Sequence, residues 1–492
     1  MMRVILNAGG NKMKLLWLII ISAILVCASS ENFPSWDQYL GNPGRTGYSN
    51  YGGPDFPEIF WKINLPGYPG TPFIIEDKIL VLYKDDPFIF TDSKIASIDL
   101  LTGTLLDEAV ADVKNLTGVF PAGDLLLGTT RGGWLYRINF RTKEAVLDLK
   151  IPDHSPLSCD PHCFPIILSD KVVFPTNPVV CLSRDDYSLL WNLQSSLGSM
   201  YPENAETYAI AASSKQVHIV LWGESGGDLL TVDSNTGKLV WQDNSLNFKE
   251  IALDGSILIG GKDKLYAMNP ETGELFWTFE SEQIHSNIVI GPESVFFTGN
   301  DMIYAIDKTS GELQWQTQLE GMKDSPFSTT YLIGVKNAII CSNTMNLTAF
   351  SLINGAELWN VHFQDHVDRL WNKPCPAVSE NILVVIGEEP QTPLISYTSD
   401  PELFAQQGDA FLSRELPDKA AESYRKASEL YERKGDHEKA QEMEKKISQL
   451  ESSPESAIPP KTQSYIIPIS FILGMVIISI LIYLFLIQKR SK

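Results

Sequence analysis

Between residues 59 and 400 short apolar stretches alternate with polar positions, the period-two pattern of half-buried strands. The strands come in pairs. Leu265-Tyr-Ala-Met-Asn-Pro-Glu-Thr-Gly-Glu-Leu-Phe-Trp277 is followed by Ile303-Tyr-Ala-Ile-Asp-Lys-Thr-Ser-Gly-Glu-Leu-Gln-Trp315, with matching copies at Leu229–Trp241 and Leu347–Trp359. Weaker copies begin at Ile95, Leu135 and Val180, and a last, degenerate one at Pro393. Their common polar position falls at Asp99, Asn139, Ser183, Asp233, Asn269, Asp307, Ser351 and Thr398, about 43 residues apart. Thr-Gly or Asn-Gly supplies the positive φ of a tight hairpin, and an Asp or Asn before it can bond the turn backbone. Asp99, Asp233 and Asp307 are therefore read as turn-fixing groups rather than as acid and base. Upstream strand pairs such as Ser256–Gly261 and Ser294–Gly299 bring each copy to four strands, a propeller blade.

The two ends of this array fit one another. Trp61, in Ile59-Phe-Trp-Lys-Ile63, is a tryptophan strand with no hairpin strand before it, and the copy at Pro393–Thr398 is a hairpin strand with no tryptophan strand after it. If the first completes the blade of the last, the ring closes and no sheet edge is left unpaired. The expected fold is all-β: an eight-bladed propeller over residues 31–400, or a seven-bladed one if the copy at Asn139 is not a full blade, followed by a short α-helical segment.

The recurring Tyr-Ala-Met-Asn…Thr-Gly-Glu…Trp pattern resembles the pyrroloquinoline-quinone-like (PQQ-like) propeller repeat and its tryptophan-docking signature. Trp191, Trp241, Trp277, Trp315 and Trp359 share one register, and Trp61 joins them through closure. The resemblance covers roughly residues 35–400, including the opening Trp36-Asp-Gln-Tyr-Leu-Gly-Asn-Pro-Gly-Arg-Thr-Gly47. It implies two kinds of relative, quinoprotein dehydrogenases and non-catalytic propellers such as the lipoprotein of the outer-membrane assembly machinery. The dehydrogenases sandwich their quinone between an indole face and an adjacent Cys-Cys disulfide, beside a calcium ion. No Cys-Cys dipeptide occurs here, and the repeat tryptophans are needed between blades. Neither cofactor is expected, with PQQ and calcium kept as the alternative.

Other candidate chemistry is sparse. Cys159-Asp-Pro-His-Cys163 reads as a short disulfide clip outside the cell, with pairing to Cys181 as the alternative; a zinc site would want more ligands than His154 and His162 provide. The seven histidines show no metal spacing, so His218 and His285 are read as core or surface residues. Asn115-Leu-Thr and Asn346-Leu-Thr are glycosylation acceptors if the domain faces outward.

The two ends of the chain suggest a topology. Lys12 and Lys14 precede the apolar run Leu15–Val26 and the small residues Ala28, Ser29 and Ser30, a signal-peptide pattern over residues 1–30, with Met13 as an alternative start. A second uncharged run, Ile466–Ile487, lies in an expected membrane span at 465–487, before a basic tail at 488–492. Between propeller and span, residues 401–450 are rich in charge, carry apolar positions at helical spacing and resemble a tetratricopeptide unit; 451–464 read as an extended linker. This helical segment is expected to be a solvated spacer that lifts the propeller from the membrane, with a docking module for a partner helix as the alternative.

Composition narrows the partners. With 60 Asp+Glu against 39 Lys+Arg the formal charge is −21. Six basic residues lie in the two terminal segments, so the outward-facing part carries −27 and does not suit nucleic acid. The expectation is a single-pass type I protein of the cell membrane whose propeller binds other envelope proteins as a non-catalytic scaffold. A quinone-dependent alcohol or sugar dehydrogenase, and a surface adhesin or sensor, are the alternatives.

Overall fold

The computed structural model describes residues 35–452 apart from 85–91, 115, 123–124, 131–133, 140–144, 151–163, 201–205, 224–225, 282, 320–329, 344–345, 364–373 and 388–391. The expected signal peptide, most of the linker, the expected span, Asn115, Cys159 and Cys163 lie outside these residues. No helix among the described residues is long and apolar enough to cross a membrane.

Eight antiparallel sheets are present, seven of four strands and one with an extra short strand. Blade 5 shows the plan: Glu250–Asp254, Ile257–Gly261, Lys264–Met268 and Leu275–Glu280 run from the inside of the ring outward. The copy at Asn139 is a complete blade, so the seven-bladed alternative falls. In blade 8, Ala377–Ser379, Ile382–Ile386 and Leu394–Tyr397 are completed by Ile59–Ile63, with Trp61 opposite Ser396 and Ile63 opposite Leu394. The ring closes as the unmatched ends of the sequence require. Middle strands such as Ala338–Ser342 and Ile382–Ile386 are buried at every position because both faces meet neighbouring blades. Outermost strands such as Leu275–Glu280 bury chiefly their tryptophan.

Residues 36–52 have no repeat of their own and run round the inside of the ring. Trp36 pairs with Ile74 of blade 1, and the Gln38 side chain bonds the backbone of Ile167 in blade 3. The carbonyls of Pro43, Gly44, Thr46 and Gly47 then accept the amides of Ala212, Leu253, Ile290 and Gly334 in blades 4 to 7, and Gly52 that of Asn381 in blade 8. Inner strands would otherwise present unpaired amides to the central channel. Tyr39 and Arg45 from this segment are buried near the axis, Tyr39 stacked on Phe164 and the Arg45 guanidinium donating to the Phe164 carbonyl. The segment leaves the ring between blades 7 and 8 to become the outermost strand of blade 8.

Three helices follow the last blade: a docking helix Pro401–Ser413, a middle helix Pro417–Lys434 and a last helix His437–Glu451. Asp400 caps the first by accepting the Glu402 amide, Gly435 at φ +78° ends the second, and Asp436 caps the third. They are not a solvated spacer. Phe404 meets Phe60 edge to face, and Gln407 Nε2 donates to the carbonyls of Phe60 and Leu101 at 3.2 and 2.9 Å. Lys426 and Arg433 of the middle helix hold Glu58 at 2.8 and 3.1 Å. The apolar faces are thus consumed against the propeller and within the hairpin, where the last helix packs by Ala440, Met443 and Ile447. Helical spacing in the sequence shows that such faces exist; their burial on blade 8 depends on contacts with residues more than 300 positions away.

Candidate functional site

The repeat tryptophans form six equivalent steps between blades. Each indole Nε1 donates to a backbone carbonyl of the neighbouring blade or its covering segment: Trp61 to Leu100, Trp191 to Ser234, Trp241 to Pro270, Trp277 to Lys308, Trp315 to Leu352 and Trp359 to Pro54, all at 2.8–3.0 Å. Five of these rings also lie flat against a hairpin glycine, where a β-carbon would come within 2.4–2.9 Å of the ring: Gly103, Gly237, Gly273, Gly311 and Gly355. The glycine therefore serves the hairpin through its positive φ and the blade interface through its missing side chain. At the sixth step blade 8 has no such hairpin, and the incoming residue Pro54 takes its place. Blade 1 has Asp107 at the tryptophan position, opposite Ser97.

The turn carboxylates act as expected. Asp99, Asp233 and Asp307 each accept, through Oδ1, the amide and hydroxyl three residues on. Bonds from Thr236 hold Asp233 below the usual carboxylate range, and bonds from Ser310 do the same for Asp307. Asp99 uses its second oxygen to take Arg414 Nη2 at 2.8 Å, while Nη1 of the same guanidinium reaches the hydroxyls of Thr102 and Thr104. One arginine thus reads a whole repeat turn.

The other candidates among the described residues lie in the packed blades. His218 is fully buried in blade 4 at the place where blades 5 and 7 have Ile259 and Ile340; Nδ1 meets the Thr231 hydroxyl and Nε2 has no partner. Burial pushes its pKa down to about 3. His285 is half-buried, and burial lowers it too. Cys181, Cys341 and Cys375 are buried, and burial raises the Cys181 thiol to about 12. Asn346 is only 7% exposed, and its Oδ1 meets His362 Nδ1 at 2.8 Å, so its side chain is packed in blade 7 rather than free at the surface. No group of His, Cys, Asp or Glu able to hold a metal occurs among the described residues.

A quinone would need an indole face open to the channel. The six repeat indoles are each bonded at an inter-blade step, five of them against glycine, and the sequence has no adjacent cysteines, so these residues do not fit that cofactor.

The architecture is that of a PQQ-type β-propeller with three helices seated on its rim. A family described as outer membrane protein assembly factor BamB matches residues 249–388. No curated protein matches the chain. Among solved structures, the quinohemoprotein alcohol dehydrogenase of Comamonas testosteroni aligns at TM-score 0.56 and 10% identity over 76% of this chain and 82% of its own. BamB from Moraxella catarrhalis aligns at 0.51 and 14% over 70% and 99%. The computationally designed protein Ika8 aligns at 0.53 and 13% over 70% and 100%. At these identities the structures share the fold alone.

Proposed function

We propose that the protein is a non-catalytic binding scaffold of the cell envelope, anchored through its C-terminal span and offering its propeller to other envelope proteins. The observation that carries this reading is the use of the six repeat tryptophans: all serve the joints between blades. The match of residues 249–388 to the BamB family supports the same reading, since that family is described as an assembly factor. A net-acidic outward part favours partners with basic surfaces, which electrostatic steering would bring in.

The test is photo-crosslinking in intact cells. The full chain would carry a photoreactive residue at single exposed positions around the ring, and adducts would be identified by mass spectrometry. A protein adduct confined to a few adjacent positions is expected. Uniform absence of adducts, together with saturable binding of PQQ and calcium and dye-linked alcohol oxidation by the purified chain, would replace the scaffold by a dehydrogenase.

A further inference from the structure

The docking helix occupies one of several equivalent places. In each tryptophan strand the register slips by one residue just before the indole, and the residue at the slip faces outward. In blade 8 this residue is Phe60, only 5% exposed because Phe404 lies on it. In blade 5 the same bulge holds Phe276, 51% exposed, flanked by Leu275 as Phe60 is flanked by Ile59.

The neighbouring turn matches as well. The docking helix reads Asp99, Thr102 and Thr104 of blade 1 through Arg414. Beside Phe276, blade 6 offers Asp307, Ser310 and Glu312 at those three positions, with Asp307 charged and Glu312 exposed. The remaining tryptophan steps each lack at least one part. Between blades 3 and 4 a lysine, Lys238, replaces Thr104 and would repel an arginine; between 4 and 5 the acid is the uncharged Asn269. Between 6 and 7 the bulge residue is Gln314 and the anchor Ser351, and between 7 and 8 there is no hairpin.

We infer that the step between blades 5 and 6 is a docking site for an amphipathic helix of a partner protein, seated as the chain's own docking helix sits on blades 8 and 1. The partner helix places an aromatic or leucine side chain on Phe276 and Leu275. It carries an arginine about ten residues further on, about 15 Å along its axis, against Asp307 and Glu312. The apolar contact and the charge-assisted hydrogen bonds come from the two ends of one helix, as Phe404 and Arg414 do. This site names the class of partner for the scaffold function proposed above and rests on that reading.

The probe is a synthetic peptide of residues 399–416 with a photoreactive phenylalanine analogue in place of Phe404, titrated against the full chain. Saturable binding is expected, with its adduct mapped to residues 275–276 or 308–312. Phe276→Ser and Glu312→Lys, both on exposed side chains, should each weaken binding at least about tenfold, and Leu190→Ser less than about twofold. A peptide bearing Arg414→Glu should lose affinity to a similar degree. Adducts only around Phe60, meaning exchange with the resident helix, or no saturable binding, would overturn the site. Crosslinking of an envelope partner in cells solely through other positions would overturn the site while leaving the scaffold reading intact.

Discussion

The indole of Trp277 lies flat against the α-carbon of Gly311, so close that a β-carbon there would stand 2.7 Å from the ring, and its Nε1 donates to the carbonyl of Lys308, three residues before that glycine. The glycine's φ of +74° would strain any other residue, and the ring would exclude its side chain. Gly255, at φ +55°, has the same backbone constraint with open space around it. Gly255→Ala should therefore cost about 1 kcal/mol, and Gly311→Ala about 2–4 kcal/mol because the blade joint must also open. Chemical denaturation of the two variants side by side measures the difference; equal losses would show that the indole contact contributes nothing.

Gln407 is buried and satisfies three groups at once, donating to the carbonyls of Phe60 and Leu101 and accepting the Ser423 hydroxyl. Gln407→Leu keeps the volume and takes this donor from both carbonyls, while the Ser423 hydroxyl keeps the Lys419 carbonyl at 3.1 Å. A loss of about 2–4 kcal/mol is expected. Proteolysis should then cut between residues 399 and 452 at low protease while the propeller core stays intact.

Glu58 couples the middle helix to the propeller. Burial pushes its pKa up, but the hydrogen bonds and charges of Lys426 and Arg433 outweigh burial and hold it below 4.5. A depressed acid stabilises the folded form above its unfolded pKa, and that contribution disappears as pH falls through the folded value. Glu402, held low by bonds from Tyr431 and Lys439, behaves alike. Amide exchange across residues 417–451 should accelerate as pH drops below 4.5, once corrected for the intrinsic rate, and Glu58→Gln should flatten that dependence.

His218 has the opposite protonation preference from a paired histidine. Its folded pKa of about 3 lies below the ordinary 6.5, so between these values the unfolded chain binds a proton that the folded chain refuses. Stability is retained above pH 6.5 and lost as pH falls towards 3. Between pH 6.5 and 5 the loss should be about 2 kcal/mol. His218→Leu should remove that share of the slope in urea melts taken across this range.

The blade count, the closure by Trp61 and the turn role of the repeat acids were legible because each depends on spacing along the chain. Ring closure in particular followed from two incomplete copies, one at each end. The partnership of each tryptophan with the next blade's glycine was not, although both recur in every strong copy; the two meet across repeats, and periodicity alone does not say which neighbours touch. Residues 36–52 carry no strand periodicity because most of their pairing is through the backbone: Pro43, Gly44 and Gly47 contribute carbonyls, and Gln38 adds its side-chain amide on Ile167. Asn346 sits in a glycosylation motif that reads as surface in the sequence, yet its strand lies in blade 7 with His362 alongside. The seat of Phe404 on Phe60 joins positions 344 residues apart, which no local signal encodes.

The inner segment and the outermost strand of blade 8 are one continuous stretch, residues 36–63, and its partners are spread over the next 330 residues. During synthesis this stretch emerges first and finds its last partner, Tyr397, only when the whole ring has been made. The clasp gives the molecule a high contact order and makes closure a late, slow event. Until then the inner amides of blades 4 to 8 and the edge of Leu394–Tyr397 stay open to other chains. A chain lacking residues 36–63 would lose far more than one strand, since seven of the eight blades would be left with an unsealed inner edge, and it would reach the folded state as an open, association-prone arc.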